Sequence, residues 1–396
     1  MPRSHHLVFT IASSLASCAH AQWTSQSLHP ASFPGSSWIE GGARGHLTGR
    51  VEHDQTEQAA LWDIAAAQCT LLHPATATYS AVRAADANTV FGRARFDLDL
   101  HAAAWSGDAS TFLDLNPSFA QGSEIYSAHG GLQAGYFYTA ASFPQAALWS
   151  GAAETCASLN PPSAIGSIAF ATAGPLQAGF AIQSGIQCAG FWSGTADSWQ
   201  SLHPQGAHAS IASAIDLDPL HPQDAIIAGF IQFEPDIPHA AIWRTDGQWI
   251  DLHDPAYLSS QILAAADGYQ VGIVRSESST HASLWHSAAD LRLDLHAILP
   301  DTYSDSVATA VWIDHGVLHV AGHAYSPVSA RSEAMLWSYV LPCPSDFDHS
   351  GFVDGDDFSA FIISFDAGDA AADFDQSGFV DTEDFTAFIT AFESGC

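Results

Sequence analysis

An apolar-tryptophan motif returns seven times along the chain, and a recurrence on this scale restricts the fold to a repeat architecture. It reads Gln58-Ala-Ala-Leu-Trp62, His101-Ala-Ala-Ala-Trp105, Gln145-Ala-Ala-Leu-Trp149 and Cys188-Ala-Gly-Phe-Trp192. It continues as His239-Ala-Ala-Ile-Trp243, His281-Ala-Ser-Leu-Trp285 and Glu333-Ala-Met-Leu-Trp337. Successive tryptophans stand 43, 44, 43, 51, 42 and 52 residues apart. A glycine that reads as the end of an apolar strand precedes each one by 13 to 15 residues: Gly49, Gly92, Gly135, Gly179, Gly229, Gly272 and Gly322. A leucine followed by a polar residue trails the first six by 9 or 10: Leu72, Leu115, Leu159, Leu202, Leu252 and Leu295.

The seventh tryptophan lacks that trailing leucine, and the missing piece stands at the other end of the chain. Trp23-Thr-Ser-Gln-Ser-Leu28-His29-Pro30 matches Trp199-Gln-Ser-Leu202-His203-Pro204. A repeat array whose first strand completes its last unit is a closed ring. Each unit holds four short apolar runs separated by turn residues, the pattern of one four-stranded antiparallel blade. The sequence therefore predicts an all-β, seven-bladed β-propeller with velcro closure over residues 22–340. In the third blade the strands are expected near 125–128, 133–138, 145–149 and 155–159. Ala128, Ala171, Ala214 and Ala265 suit an innermost strand crowded against the central channel. The 51-residue step is assigned to an insertion at Asp216–Gln223, and the 52-residue step to Asp301–Ser306 and Ser326–Ser332. Over roughly residues 23–340 the repeats resemble the HAF family of extracellular repeats, which implies fold and export more than function.

Ten arginines, no lysine and 42 acidic residues leave the chain at −32. Such a surface repels nucleic acid and anionic lipid and favours divalent cations. No apolar stretch beyond the N-terminus approaches the length that spans a bilayer. Residues 1–21 read as a signal peptide: Arg3, an apolar run over Leu7–Ala16, and Ala19-His20-Ala21 as the cleavage site. Leu15-Ala16-Ser17-Cys18 also fits a lipoprotein site, so the protein is expected to be secreted or at the cell surface. Of the mature cysteines, Cys69, Cys156 and Cys188 read as strand residues rather than a reactive set.

The C-terminal segment, 343–396, carries a second repeat at a spacing of 27. Asp346-Phe-Asp348-His-Ser350-Gly351-Phe352-Val353-Asp354-Gly-Asp-Asp357 is answered by Asp373-Phe-Asp375-Gln-Ser377-Gly378-Phe379-Val380-Asp381-Thr-Glu-Asp384. Calcium takes six to eight hard oxygens, and a twelve-residue loop offers them from positions 1, 3, 5, 7, 9 and 12. Those positions are Asp346, Asp348, Ser350, the Phe352 carbonyl, Asp354 and Asp357. Their counterparts are Asp373, Asp375, Ser377, the Phe379 carbonyl, Asp381 and Asp384. Two calcium ions are expected. Position 6 needs a left-handed turn, and Gly351 and Gly378 occupy it. Phe358, Phe361 and Phe365, then Phe385, Phe388 and Phe392, recur at helical spacing and predict one amphipathic helix after each loop. Cys343 and Cys396 flank the module and are expected to pair.

Two loops with Asp at position 12, each followed by one helix, resemble dockerin type I repeats. Gly395-Cys396 and Cys343 resemble the Gly-Cys-ending dockerin-like modules of exported bacterial proteins. The resemblance implies a small α-helical, calcium-binding module joined to a cohesin-like or cell-surface protein. Gly355-Asp356 and Thr382-Glu383 stand at the contact positions.

Eight of the 21 histidines, His29, His73, His101, His203, His239, His253, His281 and His296, fall on repeat positions that elsewhere hold Gln, Asn or Cys, which marks a structural polar slot rather than a ligand. His315, His319 and His323, and Asp216, Asp218 and His221, are weaker metal candidates. The Ser-x-Asp boxes of sialidase-like rings, the Gly-x-Ser-x-Gly elbow and a phosphate-cradling loop are all absent from the sequence. The leading expectation is an exported, non-catalytic binding or display protein, with a glycan or protein ligand on the ring. The alternative is a secreted glycan-active hydrolase or lyase with its site at one mouth of the channel. A scaffold predicts a channel of small and apolar groups; an enzyme predicts acidic or histidine side chains converging in a pocket.

Overall fold

The computed structural model describes residues 23–43, 46–140, 143–217, 225–286, 292–341, 343–348, 353–374 and 377–394. The chain divides into two compact units, one of residues 24–338 and one that includes 339–396. The larger unit contains seven four-stranded antiparallel sheets. Their innermost strands are Ser37–Ala43, Tyr79–Asp86, Gly122–His129, Ser167–Ala173, Ala209–Asp216, Ser259–Ala266 and Asp305–Asp314. Each blade runs outward in chain order except the seventh, whose outermost strand is Thr24–Ser27 from the start of the chain. Thr24 pairs with Ser338 and Ser27 with Met335, so the N-terminal strand closes the ring. In the third blade the strands are Gly122–His129, Leu132–Tyr138, Gln145–Trp149 and Ala157–Ser158, the last preceded by a 3-10 turn at Ala153–Thr155.

The recurring glycines lie within the second strand of each blade, not at its end. The reason is a β-bulge in every innermost strand. Pairing skips one residue at Glu40, Arg83, Tyr126, Phe170, Ser213, Leu263 and Thr309. A bulge bends its strand and re-aims the extra residue. Here it also drives a carbonyl of the inner strand onto the glycine opposite. A Cβ on Gly135 would lie 1.9 Å from the Glu124 carbonyl oxygen, and one on Gly179 1.9 Å from that of Ile168. The same approach, 1.9 to 2.1 Å, recurs at the other five. No side chain fits there.

The tryptophans are the hydrophobic centres between blades. Trp105, Trp149, Trp192, Trp243 and Trp337 are almost completely buried. The indole N–H of Trp62 donates to the Leu28 carbonyl, that of Trp149 to Leu115 and that of Trp337 to Leu295, each reaching the preceding blade. The trailing leucines are anchored by their own backbone, as Leu72 N–H donates to Ala59 O at 2.8 Å and Leu115 N–H to Ala102 O at 2.8 Å.

The polar residue after each leucine has a partner that sequence reading did not find. His73 Nδ1 lies 2.8 Å from Ser80 Oγ, which accepts the Ala59 N–H at 2.8 Å, while His73 Nε2 meets the Ala77 carbonyl. Asn116 and Ser123 repeat the unit, as do Asn160 and Ser167. His29 with Ser37, His203 with Ser210, His253 with Ser260 and His296 with Ser306 complete the seven. All seven of these serines are at most 1% exposed, so each hydroxyl satisfies a buried backbone N–H that would otherwise be orphaned. The slot is structural.

In the smaller unit, helix α1 (Gly355–Ala367) and helix α2 (Thr382–Ser394) carry the predicted phenylalanine stripes. Phe361 and Phe388 are fully buried and stack at 3.9 Å, with Phe347 and Phe374 packed edge-on against them. Helix α1 ends at Gly368, whose φ of 65° is the left-handed cap that glycine takes without penalty.

Candidate functional site

The seven bulge residues, all half-buried, line a common ring at the channel. Two adjoining cavities, of about 300 and 260 Å³, share all seven. The larger extends towards Ile211 and Phe230, the smaller towards the small residues of the inner strands, including Ala128, Ala171, Ala214 and Ala265. The bulges therefore form a waist. Ladder residues alternate their side chains across the sheet, and only the residue released from pairing takes this extra position.

The waist has two unlike halves. On one side stand Glu40, Arg83 and Tyr126, backed by Arg50, Arg93 and Glu124. Arg83 Nε donates to Glu124 Oε1 at 2.9 Å and lies 3.4 Å from Glu40 Oε2. Arg93 pairs with Glu124 and donates to the Tyr79 hydroxyl at 2.6 Å. Arg50 pairs with Glu40, and through Nε with Glu57 at 2.8 Å. Three guanidinium planes lie over aromatic rings: Arg50 on Trp38, Arg83 on Tyr126 and Arg93 on Tyr79. Glu40 and Glu124 side chains are 8% and 5% exposed, and carboxylates this buried persist only when paired. Burial and the neighbouring Glu124 carboxylate push the Tyr126 phenol up to about 12 and raise that of Tyr136, so both remain protonated donors.

The opposite half is Phe170, Ser213, Leu263 and Thr309. Ser213 Oγ donates to Ile262 O and Thr309 Oγ1 to Ile39 O, each at 2.8 Å, tying neighbouring blades together. A channel of small and apolar groups describes this half alone. The ionic half was invisible in the sequence because its members come from strands of three blades.

The acidic loops lie in the smaller unit. Asp346, Asp348 and Asp357 bring ligand oxygens within 4.8 Å of one another, a spacing that one cation can bridge. Asp357 is fully buried, and both its oxygens accept backbone N–H groups, from Asp348 at 3.0 Å and Asp354 at 2.8 Å. Burial works against its charge, but those N–H groups outweigh it and hold the carboxyl below its ordinary range. Asp354 caps helix α1 and Asp357 completes its capping box. Position 12 is therefore a helix cap as well as a candidate ligand. In the second loop Asp384 is likewise buried and accepts the Asp381 N–H at 2.8 Å. Asp373 Oδ2 accepts the Gly378 N–H at 2.9 Å, while its buried Oδ1 makes no hydrogen bond among the described residues. A buried carboxylate oxygen beside an acidic turn fits a cation. Ser377 and Phe379 lie in the same turn, the Ser377 hydroxyl donating to the Phe379 carbonyl. Ser350, Gly351, Phe352 and Asp375 lie outside the described residues, as do residues 1–22 with the expected signal peptide and Cys18.

The weaker metal candidates do not assemble. His315 is exposed in the turn at φ 47°, His319 bonds Ser338 Oγ and stacks on Trp312, and His323 is half-buried. Spacing of four aligns residues on a helix but spreads them along a strand. Asp216 accepts the Gly268 N–H in the next blade, and Asp218 and His221 lie outside the described residues. Cys69, Cys156 and Cys188 are free thiols; burial pushes the first two up to about 12. Cys343 is disulfide-bonded, and its expected partner Cys396 lies outside the described residues.

The closed seven-sheet ring decides the architecture. The fold is a seven-bladed β-propeller. Its ring is similar to the oligogalacturonate lyase of Vibrio parahaemolyticus, with 8% identity, 80% of this chain and 93% of that one covered, and a TM-score of 0.50. A puromycin-hydrolyzing peptidase of Mycobacterium tuberculosis gives 12% identity, 72% and 51% coverage and a TM-score of 0.47. The match spans about half of that peptidase's length. SapL1 lectin in complex with alpha methyl fucoside gives 13%, 67% and 97%, and 0.41. At these identities the likeness is one of fold alone. No protein-family model and no curated protein matches the chain. No helix among the described residues is long and apolar enough to cross a membrane.

Proposed function

We propose that this is an exported, non-catalytic binding and display protein. On this reading the HAF-type propeller presents its channel as a ligand surface. The dockerin-like segment, 343–396, binds two calcium ions and attaches the ring to a cohesin-like or cell-surface partner. Asp346, Asp348, Ser350, Phe352, Asp354 and Asp357 would hold one ion. Asp373, Asp375, Ser377, Phe379, Asp381 and Asp384 would hold the other. Calcium supplies charge neutralisation there, and hence order in a small module with little core.

The observation that carries the reading is the convergence of Asp346, Asp348 and Asp357 in a loop whose spacing the second loop repeats. Support for a binding rather than a catalytic ring comes from the repeat histidines, which are committed to serine and backbone partners, and from the channel carboxylates, which are committed to arginines. Calorimetric titration of the full chain with Ca²⁺ tests the proposal. Two ions per chain, with protection of the C-terminal segment from proteolysis that chelator removes, are expected. No uptake and one digestion pattern with or without chelator would refute it.

A second reading is a glycan-active hydrolase or lyase at the channel mouth. The arginine–tyrosine–glutamate half of the waist favours it, because those groups bring charge and proton donors to a cavity. Release of reducing ends or unsaturated products from a panel of polysaccharides separates the two.

A further inference from the structure

Ten arginines serve the whole chain, and three of them gather behind one half of the waist. Their commitments differ. Arg50 is taken up by Glu40 and Glu57, and Arg93 by Glu124 and the Tyr79 hydroxyl. Arg83 spends only Nε, on Glu124 and Glu40, and rests its plane on the Tyr126 ring at 4.7 Å. Its two Nη groups make no hydrogen bond with any described residue, and the side chain borders both cavities. A guanidinium fixed at Nε and across its face is a preorganised fork, and the outer edge of such a fork matches a carboxylate bidentately.

The surroundings narrow the ligand. Arg83 and Arg93 face Glu40 and Glu124, so the cluster is near balance and offers a dianion no surplus attraction. The chain's charge of −32 further disfavours highly charged anions. Across the waist, Phe170 and Leu263 give an apolar wall. Ser213 and Thr309, having donated their hydroxyl protons to backbone, retain acceptor lone pairs.

We propose that the channel waist is a binding site for a small monocarboxylate with an apolar or ring face, Arg83 holding the carboxylate and Phe170 and Leu263 packing the face. The proposal rests on the ring as a ligand surface and names the class of ligand. A uronic acid and an aromatic acid share this chemistry.

Isothermal titration of the full chain with sodium glucuronate and with sodium benzoate, each beside its neutral methyl ester, tests it. At least one acid binds, and its ester binds at least tenfold more weakly. Glucuronate alone points to a hydroxylated ring, benzoate alone to an aromatic one. Arg83→Lys, which keeps the charge and removes the fork, weakens the acid at least tenfold. Leu263→Glu sets a carboxylate on the opposite wall, at a residue that makes none of the ion pairs, and weakens it similarly. Thermal melts establish that each variant is folded. The site is overturned if neither acid binds at millimolar concentration, if esters bind as tightly as acids, or if folded variants bind like the parent. Absence of acid binding by the unsubstituted chain with calcium uptake intact overturns the site and leaves the display reading standing. Acid that binds and is then chemically consumed, followed by proton NMR, leaves the site standing and overturns the non-catalytic reading.

Discussion

At the scale of single residues, the repeat retains those side chains whose replacement has no room or no partner. Gly179 faces the Ile168 carbonyl so closely that Gly179→Ala must shift the strand pair. The expected cost is about 2–4 kcal/mol, read from urea unfolding of the full chain. Gly355→Ala, with nothing within 4 Å of its Cβ, is expected to be close to neutral in the same assay. The slot after the leucine obeys hydrogen-bond chemistry rather than histidine chemistry. His73→Asn should therefore be nearly silent, since Asn116 and Asn160 fill the slot in the next two blades. His73→Leu leaves the Ser80 hydroxyl without its imidazole partner, with only the Ala59 N–H remaining, and costs about 1–3 kcal/mol.

At the scale of elements, the helices of the small unit start on the residues that the acidic loops end on. Asp354 accepts the Asp356 N–H as a helix cap, and the loop spacing also puts it at position 9. Asparagine caps a helix about as well as aspartate but brings no charge to a cation. Asp354→Asn should thus preserve helicity by circular dichroism in chelator, while lowering calcium affinity about tenfold or more by titration. Equal calcium affinity in the variant would remove Asp354 from the ligand set. The blades make a parallel point. The bulge is an element-level device, because one unpaired residue in each inner strand both demands the facing glycine and delivers a side chain to the waist.

At the scale of the molecule, closure and titration dominate. Deleting residues 24–27 would strip the outer edge of the last blade and expose the Arg331–Val340 strand to a second chain. A lower melting temperature and concentration-dependent light scattering are expected. The histidines set the response to acid. Burial lowers the pKa of His29, His73, His203, His253 and His296 below the ordinary 6.5, and burial with the nearby Arg50 takes His323 to about 4. A base depressed in the folded state binds more protons when unfolded. The ring is therefore at full stability above pH 6.5, and that stability falls as pH drops towards 4. His323 alone accounts for roughly 3 kcal/mol of the fall. Urea midpoints at pH 7.5, 6 and about 4.5 check the sign; a flat profile would contradict it.

The sequence by itself determined the ring, its seven blades, the strand that closes it and the two acidic loops with their helices. Each of these is written as spacing along the chain: a repeat period, a displaced N-terminal match, a twelve-residue loop. Only the tertiary structure decided why the glycines recur, what the histidine slot bonds to and what stands in the channel. Those depend on contacts between strands and blades, such as Gly135 on the Glu124 carbonyl or Arg83 between Glu40 and Glu124. The partners lie some ten to forty residues apart in sequence, and no local pattern records which side chain a bulge turns inward.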